Sequence, residues 1–181
     1  MNESTGYHDG ALVSPQTLES FMAHAYQMEI EAAQRYAELA DAMETHNNRD
    51  VAKLFRTMAE IETKHAAHVM AQMGWREPPR TPPGPAPWGG FEAPETATSD
   101  DVHYLMQPYH ALEIALANEE RAEHFFARLA DMASIAAIRD AAIELRDEER
   151  AHVALVKQWM RNVERPDRDW ALDPDPPRYT D

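Results

Sequence analysis

The sequence predicts an all-α protein, a four-helix bundle made of two helical hairpins, and three observations carry that prediction. Alanine and methionine are abundant while β-branched residues are few, a balance that favours helix over sheet. Four long segments repeat apolar residues in steps of three and four, the spacing of one face of an α-helix. Between the second and third segments, the stretch from Trp75 to Asp101 holds seven of the thirteen prolines and breaks the helical pattern.

The first helix is predicted to start near Pro15 with Ser14 as its N-cap, after a polar and flexible tail over residues 1–16. Its stripe runs through Leu18, Phe21, Met22, Ala25, Glu29, Ala32, Tyr36, Leu39, Ala40 and Met43, so Glu29 sits among apolar residues. Thr45 to Asp50 reads as a turn, with two asparagines that tolerate tight backbone and Asp50 available to cap the next helix. The second stripe carries Val51, Leu54, Phe55, Met58, Ile61, Glu62, His65, Val69 and Met73, and Gly74 can close it in a left-handed cap.

The connector over residues 75–100 includes the run PPRTPPGPAPWGG and is expected to be extended, with Trp88 and Phe91 pinning it to the surface. At roughly 3.1 Å per residue it can outspan a helix pair of roughly 36 Å, the length set by a rise of about 1.5 Å per helical residue. The third helix is predicted from about Asp101, with Pro108 in an early turn and a stripe of Leu112, Ala115, Glu119, Ala122, Phe126, Leu129 and Ala130. After a break at Asp131 to Ser134, the fourth carries Ile138, Ala141, Leu145, Glu149, His152, Val156 and Trp159. The bundle thus covers residues 17–162, followed by a tail over 163–181.

Composition narrows the function. A length of 181 residues suits one domain with a sizeable core. The formal net charge of −15 argues against a nucleic-acid binder, which needs clustered Lys and Arg, and against an anionic membrane surface. The absence of cysteine excludes disulfides, thiolate zinc sites, iron–sulfur clusters and thiol nucleophiles. MNESTGYHDG lacks the regions of a signal peptide and no apolar run approaches membrane-spanning length, so a cytoplasmic protein is expected.

Chemistry is concentrated in two short motifs. Glu62 and His65, and again Glu149 and His152, stand three positions apart on a helical face, so each pair offers a carboxylate oxygen and an imidazole nitrogen to one point. A single such pair is what an acidic helix produces by chance. Here there are two, and each is preceded by a stripe glutamate on the preceding helix, Glu29 and Glu119. An internal repeat relates the halves: Ala25, Glu29, Tyr36, Leu39 and Ala40 fall on Ala115, Glu119, Phe126, Leu129 and Ala130.

Four facing carboxylates in a dry bundle cannot all stay ionised, because desolvation and like charge both raise carboxylate pKa. Two divalent cations would balance four glutamates and leave both histidines neutral, as imidazole ligands must be. The set Glu29, Glu62, His65, Glu119, Glu149 and His152 matches the known template of di-iron and di-manganese carboxylate bundles. Oxygen and nitrogen ligands without sulfur suit iron or manganese, and zinc can occupy such a site. The methionines Met22, Met43, Met58 and Met73 fit core packing. His8, His24, His46, His68, His103, His110 and His124 are expected on the surface or in tails, with His68 the nearest to the motif.

On these residues the chain resembles the rubrerythrin family of the ferritin-like superfamily over roughly residues 17–162. The two E-x-x-H pairs agree in order and spacing, the helix-one glutamate is followed by Tyr36, and ALEIALANEERAEHFF is similar to the third helix of rubrerythrin-type domains. The resemblance implies a ferritin-like fold and two iron ions that react with hydrogen peroxide or dioxygen. It implies that Glu62 and Glu149 bridge the metals, that Glu29 with His65 and Glu119 with His152 complete the ends, and that Tyr36 hydrogen-bonds a ligand carboxylate. All seven are then residues of the catalytic site.

Three differences from the family pattern stand out. No cysteines are present for a rubredoxin domain, so a separate electron donor is expected; Ala122 replaces a further carboxylate; and Phe126 stands where a second tyrosine would fall. A homodimer is the expected assembly. Against the redox reading, in oxidative-stress defence, stand two others: iron binding, storage or transfer with a ferroxidase centre, and a bundle whose metals only stabilise it.

Overall fold

The computed structural model describes residues 15–80 and 103–166. Residues 1–14, 81–102 and 167–181 lie outside the described set, and with them Ser14, Trp88, Phe91, most of the proline-rich connector and nearly all of both expected tails. Four helices form, α1 (Leu18–Thr45), α2 (Arg49–Met73), α3 (Pro108–Met132) and α4 (Ala136–Met160), with no strand among the described residues. The all-α four-helix bundle predicted from the stripes, ferritin-like as the resemblance implies, is the fold observed.

Local chemistry sets the helix ends, in places differently from the sequence expectation. α1 begins at Leu18, three residues later than Pro15, because Thr17 is its N-cap and its hydroxyl accepts from the Ser20 amide at 3.1 Å. The α1–α2 turn is His46, Asn47 and Asn48, and Asn47 takes the left-handed conformation, φ 58°. Asn48, not Asp50, occupies the cap of α2, and its side chain donates instead to the Met106 carbonyl, tying this turn to the segment before α3. α3 starts at Pro108 rather than near Asp101: proline has no amide to donate and is best placed at the first helical position, where the amide would be unpaired anyway.

Gly74 ends α2 at φ +66°, as the sequence predicts, and a Cβ there would meet nothing within 4 Å. Substitution is therefore penalised by backbone conformation alone. Gly74→Ala is expected to lower stability by about 1 kcal/mol, read as a shifted midpoint with unchanged slope in urea unfolding.

α1 packs along α2, and α3 along α4. The hairpins meet where Phe21 sits edge-on to Phe126 at 6.4 Å between centroids and where α2 and α4 bring His65 against His152. The interior has two apolar clusters. One contains Phe21, Met22, Met28, Val69, Phe126, Leu129, Ile138 and Leu145; the other contains Tyr36, Leu39, Met43, Phe55, Met58, Met106, Leu112 and Val156.

Each helix passes from one cluster to the other, and in each the crossing falls at a glutamate: Glu29, Glu62, Glu119 or Glu149. The bundle is thus two apolar ends with a carboxylate layer between them. The same order fixes direction. α1 and α4 run from the first cluster to the second, while α2 and α3 run the other way. Met73 and Trp75 pack on the first cluster and Met106 lies in the second, so the chain leaves α2 at one end of the bundle and comes back at the other. That is the span the sequence assigned to the connector.

Candidate metal centre

One residue from each helix reaches the middle layer as a buried acid: Glu29 is 0 % exposed and Glu62, Glu119 and Glu149 are each 1 % exposed. His65 and His152, one turn after Glu62 and Glu149, fill the same layer from α2 and α4 and are only partly covered. Their rings stack at 4.2 Å between centroids with an interplanar angle of 11°.

Both imidazoles turn Nδ1 inward. His65 Nδ1 stands 3.5 Å from Glu29 Oε2 and 3.4 Å from Glu62 Oε2. His152 Nδ1 stands 3.3 Å from Glu119 Oε2 and 3.3 Å from Glu149 Oε2. Each half of the molecule therefore repeats one pattern, an imidazole nitrogen facing a carboxylate of its own helix and one from the hairpin partner. Ligand atoms of Glu29, Glu62 and His65 lie within 4.8 Å of one another, as do those of His65, Glu149 and His152. The structure thus brings the six predicted residues into one layer, and His65 belongs to both groups.

The electrostatics of this layer are unfavourable without a cation. Burial, then the charge of Glu119, pushes the Glu62 carboxyl from 4.5 up to about 8. Burial also raises Glu149 to about 8, with Glu119 and Glu62 adding to it. Burial would lower His152, but the carboxylates of Glu119 and Glu149 outweigh it and lift the imidazole to about 10. His65 is lowered, first by burial and then by the charge on His152. A charge on His152 thus opposes one on its stacked neighbour His65, as like charges this close must.

Hydrogen bonding does not satisfy the layer either. Both oxygens of Glu62, Oε2 of Glu119, Oε1 of Glu149 and Nδ1 of His65 are buried without a hydrogen-bond partner among the described residues. Unpaired buried acceptors are costly, and a group of them facing one another needs a compensating ligand. Bound divalent cation fits: it meets the oxygens, needs the imidazoles neutral, and matches the oxygen and nitrogen donor set.

Tyr36 lies 1 % exposed beside this layer, stacked on Phe55 at 6.1 Å, and its hydroxyl accepts a hydrogen bond from Asn118 Nδ2 at 2.9 Å. Asn118 was not singled out by the sequence reading. Its signal is a polar residue 2 % exposed, adjacent to Glu119 and just off the expected stripe. Phe126 is fully buried in the first apolar cluster, against Phe21 and Phe125.

Glu120 and Glu123 turn away, as their spacing predicts, to Lys157 at 2.8 Å and Arg150 at 2.8 Å. His68 Nε2 faces Glu148 Oε1 at 3.2 Å on the solvent side. Two other histidines correct the surface expectation. His24 is 6 % exposed, with Nδ1 on the Ser20 carbonyl at 2.8 Å, and His110 is 7 % exposed, its Nδ1 accepting from the Gln107 amide at 3.2 Å. Each ring is paired with a backbone group three or four residues before it, at the start of its helix.

The rubrerythrin family model matches residues 20–160. An uncharacterized conserved protein from Magnetospirillum magnetotacticum, solved by crystallography, is 36% identical with a TM-score of 0.61, over 83% of this chain and 98% of that one. A hypothetical protein from Pyrococcus furiosus is 21% identical with a TM-score of 0.46, over 81% of this chain and 89% of that one. No curated protein matches. With the family model spanning all four helices, the chain belongs to the rubrerythrin family.

Proposed function

We propose that this chain is a di-iron protein that reacts with hydrogen peroxide or dioxygen in oxidative-stress defence, with a separate electron donor and as a homodimer. The observation that carries the reading is the middle layer, where four buried glutamates from four helices meet two stacked imidazoles. Glu29, Glu62 and His65 would hold one ion and Glu119, Glu149 and His152 the other. Bound ferrous iron supplies the electrons, one from each ion, that reduce the O–O bond of peroxide to two waters with two protons.

The chain's own residues do the rest. The apolar clusters on either side of the layer exclude bulk water. His65 and His152 are the partly exposed members of the six, so they stand between the buried carboxylates and solvent. Tyr36, whose hydroxyl accepts from Asn118, would hydrogen-bond a ligand carboxylate with its own proton. Ala122 is fully buried, so its position adds no further acid.

Stopped-flow mixing of anaerobic, ferrous-loaded protein with peroxide and with dioxygen tests the proposal. Reoxidation is expected to consume one peroxide per two iron ions and to run much faster than with free Fe(II). A rate no faster than that of free Fe(II) with either oxidant would overturn it.

A further inference from the structure

We propose that Asn118 is a positioning residue of the centre, which together with Arg121 clamps the Tyr36 hydroxyl and fixes the direction of its proton. The proposal rests on reading the middle layer as a metal centre. Asn118 is 2 % exposed, and a buried amide is tolerated only where both of its ends are paired. Its Nδ2 donates to the Tyr36 hydroxyl at 2.9 Å, and its Oδ1 accepts a hydrogen bond from Arg121 Nη2, one turn along α3.

These two contacts settle which way the amide faces. A guanidinium has only donors, so the amide oxygen must face Arg121 and the amide nitrogen must face Tyr36. The phenol oxygen therefore receives a hydrogen bond from Asn118, and its own proton points elsewhere. Had the amide been free to flip, Tyr36 would have donated to it. Arg121 contributes more than orientation. Its charge polarises the amide, strengthens Nδ2–H as a donor, and through that bond makes the Tyr36 O–H a stronger donor in turn.

The ring itself is held by burial and by Phe55 at 6.1 Å. Asn118 is the residue before Glu119, so the clamp closes at the level of the carboxylate layer. A phenol proton directed into that layer selects which carboxylate oxygen stays available to a metal. Outer partners of this kind tune affinity.

Asn118→Asp separates this role from packing. It preserves size and the acceptor for Arg121, removes the Nδ2–H, and draws the Tyr36 proton away from the layer. Cobalt(II) titration of the apo protein is expected to show about tenfold weaker binding, with shifted visible bands of the bound ion. An added negative charge alone would strengthen cation binding, so the direction is diagnostic. In a Tyr36→Phe background the same substitution is expected to change affinity less than about twofold.

Arg121→Met, at the partly exposed end of the clamp, gives a second route should Asn118→Asp fail to fold. It is expected to weaken cobalt binding about threefold, again only when Tyr36 is present. Wild-type affinity and spectrum in both variants, or equal losses with and without Tyr36, would overturn the clamp and leave the centre standing. Wild-type protein that takes up no cobalt would overturn both.

Discussion

Metal-free protein is expected to become less stable as pH rises from about 5 to about 8, and saturating divalent cation is expected to reverse that slope. Glu62 and Glu149 hold their protons up to about 8 in the folded chain, against 4.5 in the unfolded one. Between those values the folded form binds protons that the unfolded form has released, so raising pH favours unfolding. His152 works in the same direction over a higher window. Its contribution is complete below 6.5 and is lost as pH rises through about 10.

His65, lowered on folding, acts oppositely, gaining stability as pH rises through its own range below 6.5. Three groups outweigh one. The net loss is on the order of several kcal/mol, given about 1.4 kcal/mol per pH unit per group. At roughly 2–4 °C per kcal/mol for a chain of this size, the melting temperature falls by about 10 °C or more. Bound cations compete with protons for the same atoms, so the loaded protein weakens as pH falls instead. Melting curves in chelator and in excess manganese or zinc across this range decide it; a chelated protein whose melting temperature is flat or rising would sink the prediction.

Glu149→Gln is expected to move stability and metal binding in opposite directions. Glu149 is 1 % exposed with Oε1 unpaired, and at pH 8 its charge is answered only at Oε2, by His152 Nδ1 at 3.3 Å, while Glu119 and Glu62 oppose it. A neutral amide of nearly the same shape removes that charge. The apo variant is expected to gain on the order of 1–4 kcal/mol at pH 8, because a carboxyl raised from 4.5 to about 8 opposes folding by about 1.4 kcal/mol per pH unit and the amide, which still offers His152 an acceptor, does not ionise. Cation affinity is expected to fall by more than about 100-fold, beyond what losing an outer partner costs. Chelated melting curves and cobalt titration on the same preparation measure both. A variant that melts lower than wild type in chelator would contradict the assignment of this layer as strained, and one that binds cobalt normally would remove Glu149 from the ligands.

Most of the bundle could be read from spacing because buried faces repeat with the helix. Leu112, Ala115, Phe126 and Leu129 are all fully buried where the third stripe places them. Glu29, Glu62, Glu119 and Glu149 were conspicuous for the same reason, as acids at positions that periodicity reserves for apolar side chains. Less legible were features decided by single hydrogen bonds. Neither the cap at Thr17 nor the burial of His24 and His110 follows from hydropathy, since each depends on one backbone group nearby.

Asn118 escaped for a different reason: its partners are Arg121 on its own helix and Tyr36, 82 positions away in sequence. Polar pairs between helices leave no period. The start of α3 at Pro108 was misplaced because a proline near a helix start tolerates two readings, inside the first turn or at its first position.

The placement of every buried acid at the crossing between two greasy ends divides the labour of the side chains. Cohesion resides at the poles and reactivity at the equator, so the residues that fold the molecule are largely distinct from those that would do its chemistry. Sequence drift in the equatorial belt can then retune what the protein reacts with while the poles keep the architecture intact.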